Sequence, residues 1–222
     1  MRCIIIGREK DRKLIEEIPR RQLEEAGYKV EVIVINNKST DKTRDVALQY
    51  GATVIDEPRQ GKGMAVKTAF TGVEADFYFM LDADYTYPPS YIISMLQLLE
   101  HNDVVTGSRF KRSRQKRAFS CISIIGNIML TLFATILYQR YTSDLCTGYW
   151  GFKREVVKQL CLDDISGFEL EAKLFSEVVK KRYSLAEIPI EYRERLGGPT
   201  KLRPFRDGLR VVRTLIASRI SS

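Results

Sequence analysis

Short apolar runs alternate with segments of helical period along the first half of this chain, and that alternation decides the fold class. Residues 4–6, 30–35, 52–55, 76–81 and 103–106 read as strands. Helical patterns lie between them over residues 11–26, 39–50, 62–70 and 91–100. Strands separated by helices predict an α/β fold: a mixed, mostly parallel sheet covered on both faces. Ligands then bind at the carboxyl ends of the strands. Asn36, Asn37, Asp82, Asp84 and Gly107-Ser108-Arg109 all fall at such ends. A chain of 222 residues, 44% of them hydrophobic, can bury one core of this kind, so a single domain over residues 1–222 is expected.

The strand over residues 76–81 ends in Asp82-Ala83-Asp84 and then meets Tyr85-Thr86-Tyr87-Pro88-Pro89. Two carboxylates spaced i, i+2 at a strand end can hold a hard divalent cation, magnesium or manganese, through oxygen. Such a cation would bridge the phosphates of a nucleotide. Solvated acids at a strand end have the same local pattern. The surroundings favour the metal: Gly61-Lys62-Gly63 upstream and Asp144-Leu145-Cys146-Thr147-Gly148-Tyr149 downstream. His101 is the only histidine, which excludes a histidine-based zinc site. The cysteines, Cys3, Cys121, Cys146 and Cys161, are scattered, as in a reducing compartment. Net charge is +8, pointing to anionic partners. Nucleic acid is not expected among them, because the Asp82/Asp84 pair would repel its phosphates without a metal.

Residues 118–138 carry no charge and by length alone could span a bilayer. Ser120, Ser123, Asn127, Thr131 and Thr135 recur at helical spacing and form one polar stripe; Ile122, Ile125, Met129, Phe133 and Ile136 form the opposite face. A helix lying in a membrane surface fits that pattern, and a buried core helix is the alternative. Residues 118–140 and 205–220 are the candidate interfacial helices, with Lys111, Arg112, Arg114, Lys116, Arg117, Arg206, Arg210 and Arg213 beside or within them. The remaining pattern predicts an extended stretch over 146–153, a helix over 166–181, a strand over 185–192 and a last helix over 207–220. Residues 1–7 are too short and too soon interrupted for a signal peptide.

Ser39-Thr40-Asp41, Arg59-Gln60-Gly61-Lys62-Gly63, Asp82-Ala83-Asp84 with Pro88-Pro89, Gly107-Ser108-Arg109, the Asp144–Tyr149 element, Glu187-Ile188-Pro189-Ile190 and Thr200-Lys201-Leu202 occur in that order. Together they resemble family-2 glycosyltransferases of the GT-A fold, on the branch of the dolichyl-phosphate mannose and polyprenyl-phosphate sugar synthases. The resemblance implies transfer of a sugar from a nucleotide-sugar donor to a polyprenyl or dolichyl phosphate. It implies that Asp82 and Asp84 are catalytic and bind Mg2+ or Mn2+. Arg8, Asn36, Asn37, Lys62 and Asp82 would hold the nucleotide-sugar, and Arg109, Arg117, Lys201 and Arg203 the acceptor phosphate. The chain departs from the family in three places. Ile6-Gly7-Arg8-Glu9 replaces a Pro-x-Tyr-Asn-Glu loop, Thr86 stands for a glutamine, and Trp150 for an arginine. With Asn36 and Asn37 in place of acidic base readers, these point to a UDP-sugar rather than GDP-mannose, since an amide matches the uracil edge.

An acceptor that is already anionic needs no general base, so the scarcity of histidine agrees with such chemistry. In-line attack would invert the anomeric centre. A soluble or glycan acceptor would instead need a carboxylate base, with Glu169, Glu171 and Asp144 available. A sugar-nucleotide pyrophosphorylase lacks support because its Gly-rich N-terminal loop is missing. The expected location is cytoplasmic, peripheral at the inner face of a membrane.

Overall fold

A computed structural model describes residues 12–82, 84–111, 121–163, 165–195 and 203–221. The strand expected over residues 4–6 lies outside them. The helix expected over 11–26 is two helices, α1 (Arg12–Glu16) and α2 (Arg20–Glu25). Pro19 separates them: it lacks an N–H, its ring clashes with a continuing helix, and it disfavours helical geometry at Ile18. Then follow β1 (Ile33–Asn36), α3 (Thr43–Gln49), β2 (Thr53–Asp56), α4 (Lys62–Gly72) and β3 (Phe77–Met80). A 3₁₀ turn at Pro89–Tyr91 leads into α5 (Ile92–Leu99), and β4 (Val104–Ser108) follows. The second half holds α6 (Cys121–Tyr138), β5 (Trp150–Lys153), α7 (Arg154–Gln159), α8 (Leu170–Lys180), β6 (Leu185–Pro189) and α9 (Pro204–Ile220).

β1 and β2 pair in parallel, with Asn36 opposite Asp56 at their carboxyl ends. The larger sheet has the order β3-β5-β4-β6. β4 and β6 are parallel, while β5 runs antiparallel to both β3 and β4. The sheet is therefore mixed, and the extended stretch expected over 146–153 becomes a strand only from Trp150 onward.

Side chains alternate across this sheet because successive Cβ atoms point to opposite faces. Tyr78 and Met80 join one apolar layer with α4, α6, α8 and α9; Phe79 and Leu81 join another with α1, α2, α3 and α5. In the first layer Phe152 stacks on Trp150 at 5.6 Å and meets the edge of Phe70 at the same distance. Burying an aromatic side chain of this size stabilises by roughly 1.5–3 kcal/mol.

α6 is amphipathic in the sense opposite to an ordinary surface helix. Asn127, Thr131, Ala134 and Tyr138 are buried against the protein, and the Tyr138 hydroxyl donates to the Leu215 carbonyl of α9 at 2.8 Å. Ile122, Ile125, Ile128, Met129, Leu132 and Ile136 are 53–68% exposed. α9 adds exposed Phe205, Leu209, Ile216 and Ile220. Among the described residues no helix is long and apolar enough to cross a membrane.

Candidate active site

β3 delivers Asp82 to the carboxyl edge of the sheet, and Pro88-Pro89 stops the chain from continuing as a strand. Between them Tyr85 takes a left-handed conformation (φ 68°), uncommon for a residue with a Cβ. The turn lets one Asp84 oxygen accept from the Thr86 N–H at 3.2 Å and from the Thr86 hydroxyl. The other Asp84 oxygen pairs with Arg195 Nη2 at 2.7 Å. Burial and the nearby Asp82 charge push the Asp84 carboxyl above its ordinary value.

Lys62 opens α4 and reaches both Asp82 Oδ1 at 2.7 Å and Glu171 Oε1 at 2.5 Å. Burial pulls the ammonium down, but Asp82 and Glu171 more than offset it and hold it above the usual lysine range. Burial raises Glu171 even beside Lys62. Three carboxylates thus share two cations. Gly148 closes the wall behind Asp82: a Cβ there would lie 2.6 Å from Asp82 Oδ2. Its N–H donates to the Tyr87 hydroxyl oxygen at 2.8 Å.

The Gly-Lys-Gly loop is shaped by close approach of the protein's own backbone. Gly61 sits at φ 144°, and a Cβ there would lie 2.1 Å from the Ser166 carbonyl oxygen. A Cβ at Gly63 would lie 2.3 Å from the Ile165 carbonyl oxygen. The Gly63 N–H donates to the Ser166 carbonyl at 3.2 Å. Asn37, expected to read the nucleoside, braces this loop. Its amide donates to the Glu57 and Arg59 carbonyls at 3.3 and 2.6 Å, and its carbonyl accepts from the Gly61 N–H at 2.7 Å. Asn36 stands at the rim, its amide on Asp56 Oδ1 at 2.7 Å.

Arg109 is largely buried, with its guanidinium engaged. Nε and Nη2 each reach Asp144 at 2.7 Å, and Nη2 also donates to the Cys146 carbonyl at 2.8 Å. An arginine expected to surround a phosphate is thus bound to a carboxylate and fixes the start of the Asp144–Tyr149 element. Arg203 caps α9 through its backbone N–H on Asp207 at 2.7 Å, with its side chain exposed. Arg8, Arg117 and Lys201 lie outside the described residues. Sequence reasoning did not foresee Arg195 on Asp84 or Asn127 on Asp144. The first had no local signal; the second was visible only as one member of a polar stripe.

Could Asp82 and Asp84 hold a divalent metal? Their oxygens are the right donors, and burial together with the nearby Asp82 charge disfavours ionised Asp84, a penalty that a cation would relieve. Among the described residues no group of three or more acidic, histidine or cysteine side chains is arranged to ligate a metal. The pair would need diphosphate oxygens and water to complete the shell.

Residues 4–161 match the family model described as glycosyl transferase family 2. The chain belongs to that family. As a family-2 member it is a glycosyltransferase. It is 31% identical to the dolichyl-phosphate hexose transferase of Haloferax volcanii over 189 residues, covering 85% of this chain and 80% of that protein. It is 33% identical to glycosyltransferase AglJ of the same organism over 180 residues, covering 80% of this chain but only 59% of that protein. In fold, this family-2 chain resembles glucosyl-3-phosphoglycerate synthase of Mycobacterium tuberculosis, solved with Mn2+, UDP and glucosyl-3-phosphoglycerate. The TM-score is 0.75 at 17% identity, covering 98% of this chain and 79% of that one. The fold is GT-A.

Proposed function

We propose that this glycosyltransferase moves a sugar from a UDP-sugar to a polyprenyl or dolichyl phosphate at a membrane surface. The observation that carries the acceptor is the identity with a dolichyl-phosphate hexose transferase over 85% of the chain. Asp82 and Asp84 would hold Mg2+ or Mn2+, which when bound would supply positive charge to the diphosphate. Lys62 keeps Asp82 in place and adds positive charge beside the leaving group. An oxygen of the acceptor phosphate attacks the anomeric carbon; the bond to the diphosphate breaks, and the nucleoside diphosphate leaves with its electron pair. The new C–O bond forms on the opposite face, so configuration inverts. No base is needed, because the nucleophile arrives as an anion. Arg117, Lys201 and Arg203 draw that phosphate, and Arg109 acts through Asp144. Uridine reading falls to Asn36 at the rim, since Asn37 serves the loop.

The apolar outer face of α6 and the exposed apolar residues of α9 lie in the surface of a bilayer, which is the chemistry such a face requires. Arg206, Arg213 and Arg219 are exposed on α9 and match an anionic leaflet. Each basic residue near the surface adds about 1 kcal/mol before screening. Thermal-shift and calorimetric screening of UDP, GDP and their sugars, with and without manganese, tests the donor. Tighter GDP binding would sink the uridine reading. Asp84→Ala should abolish transfer with the fold intact; full activity of that variant in chelator would remove the metal. Flotation with vesicles of phosphatidylcholine and phosphatidylglycerol tests the membrane, and failure to float refutes it.

A further inference from the structure

The buried stripe of α6 does not face other apolar side chains alone; it grips an irregular segment. Asn127 is 8% exposed, and its amide donates to Asp144 Oδ1 at 2.8 Å. Its carbonyl oxygen accepts from the Cys146 N–H at 3.4 Å, and the Thr131 hydroxyl oxygen accepts from the Leu145 N–H at 3.1 Å. The segment so held leads straight to the catalytic carboxylate. Asp144 clamps Arg109, the Thr147 hydroxyl donates to the Gly107 carbonyl at 2.5 Å, and Gly148 abuts Asp82. A buried amide is costly unless bonded, and leucine would fill the same space without that demand. The bonds it makes go from α6 to this segment.

We infer that Asn127, with Thr131, is a positioning residue: it transmits the placement of the outward apolar helix to the Asp144–Gly148 segment and hence to Asp82 and Arg109. Seating α6 on lipid then orders the segment and speeds transfer. The inference rests on the membrane reading above. Its geometric basis is that one helix carries both the exposed apolar face and the grip on the active-site wall.

Amide hydrogen exchange of the full chain, with and without phosphatidylcholine–phosphatidylglycerol vesicles, tests it. Exchange at Leu145 and Cys146 should slow by about tenfold on vesicles, the equivalent of about one buried hydrogen bond. Asn127→Leu and Thr131→Val should float as the wild type does, because neither residue is on the outer face, yet lose the slowing. With the donor selected by the nucleotide screen and a short, water-soluble prenyl phosphate, vesicles should raise wild-type kcat by about tenfold with donor KM unchanged. Asn127→Leu should show no rise. Equal stimulation of variant and wild type, or unchanged Leu145 and Cys146 exchange on bound vesicles, overturns the coupling. A wild type that does not float overturns the membrane reading and the coupling with it.

Discussion

Asp84 divides its two oxygens between Thr86 and Arg195, and Asp82 gives one of its own to Lys62. Protein cations therefore sit on the carboxylates proposed to hold the metal. Arg195 is the weaker of the two partners, with its side chain 40% exposed, and it must leave Asp84 when a metal binds there. Arg195→Gln should tighten manganese binding without nucleotide by about twofold to fivefold, the worth of a half-exposed ion pair. Calorimetry decides it; an unchanged affinity means that Arg195 does not compete. Glu57, behind the Gly loop, offers a pH test. The Arg59 fork and then the Thr68 hydroxyl hold its carboxyl at about 2, below the ordinary 4.5, although burial opposes them. A lowered folded value contributes stability above the unfolded one, lost as pH falls from about 4.5 through 2. Glu57→Gln should flatten the fall of Tm over that window. At this scale the sequence revealed residues whose signal is local. The strand end at Asp82 was legible because an apolar run meets two acids and, three residues on, two prolines. Asn37 was visible as a strand-end asparagine, but its engagement with Arg59 and Gly61 depends on a loop over twenty residues away.

Elements were legible where periodicity is long, and least so where one residue or a short span decides. Pro19 splits the first helix, and α7 escaped notice because its six residues begin directly after β5. α6 shows the limit most clearly. Most of its two stripes could be read from spacing, although Phe133, expected on the outer face, packs partly buried against the core; which stripe faces inward could not, since that depends on Asp144 and the segment after it. The outer face can be tested at one position. Met129 is 66% exposed, so Met129→Glu should leave stability within about 0.5 kcal/mol. Flotation with anionic vesicles should fall sharply. A variant that floats as before would place the membrane contact elsewhere.

Across the whole molecule, the site is assembled from segments far apart in the chain. Lys62 and Glu171 are 109 residues apart, and the Gly61-Lys62-Gly63 turn fits against Ile165 and Ser166. No local pattern announces such a joint, although the glycines are its trace in the sequence. Gly63→Ala would drive a methyl group into the Ile165 carbonyl and should cost about 1–3 kcal/mol. In a chain of this size that lowers Tm by about 2–4 °C per kcal/mol, read by calorimetry. The inside-out helix also bears on how this sequence can vary. A soluble surface usually accepts charge freely and a core refuses it. If lipid covers α6, Ile122, Ile125, Met129, Leu132 and Ile136 exchange freely among large apolar residues yet reject Lys or Asp, despite facing outward. Asn127 and Thr131, facing inward, reject the leucine that a core position would welcome. A saturation scan selected for transfer on membranes would then map this helix with its inside and outside reversed.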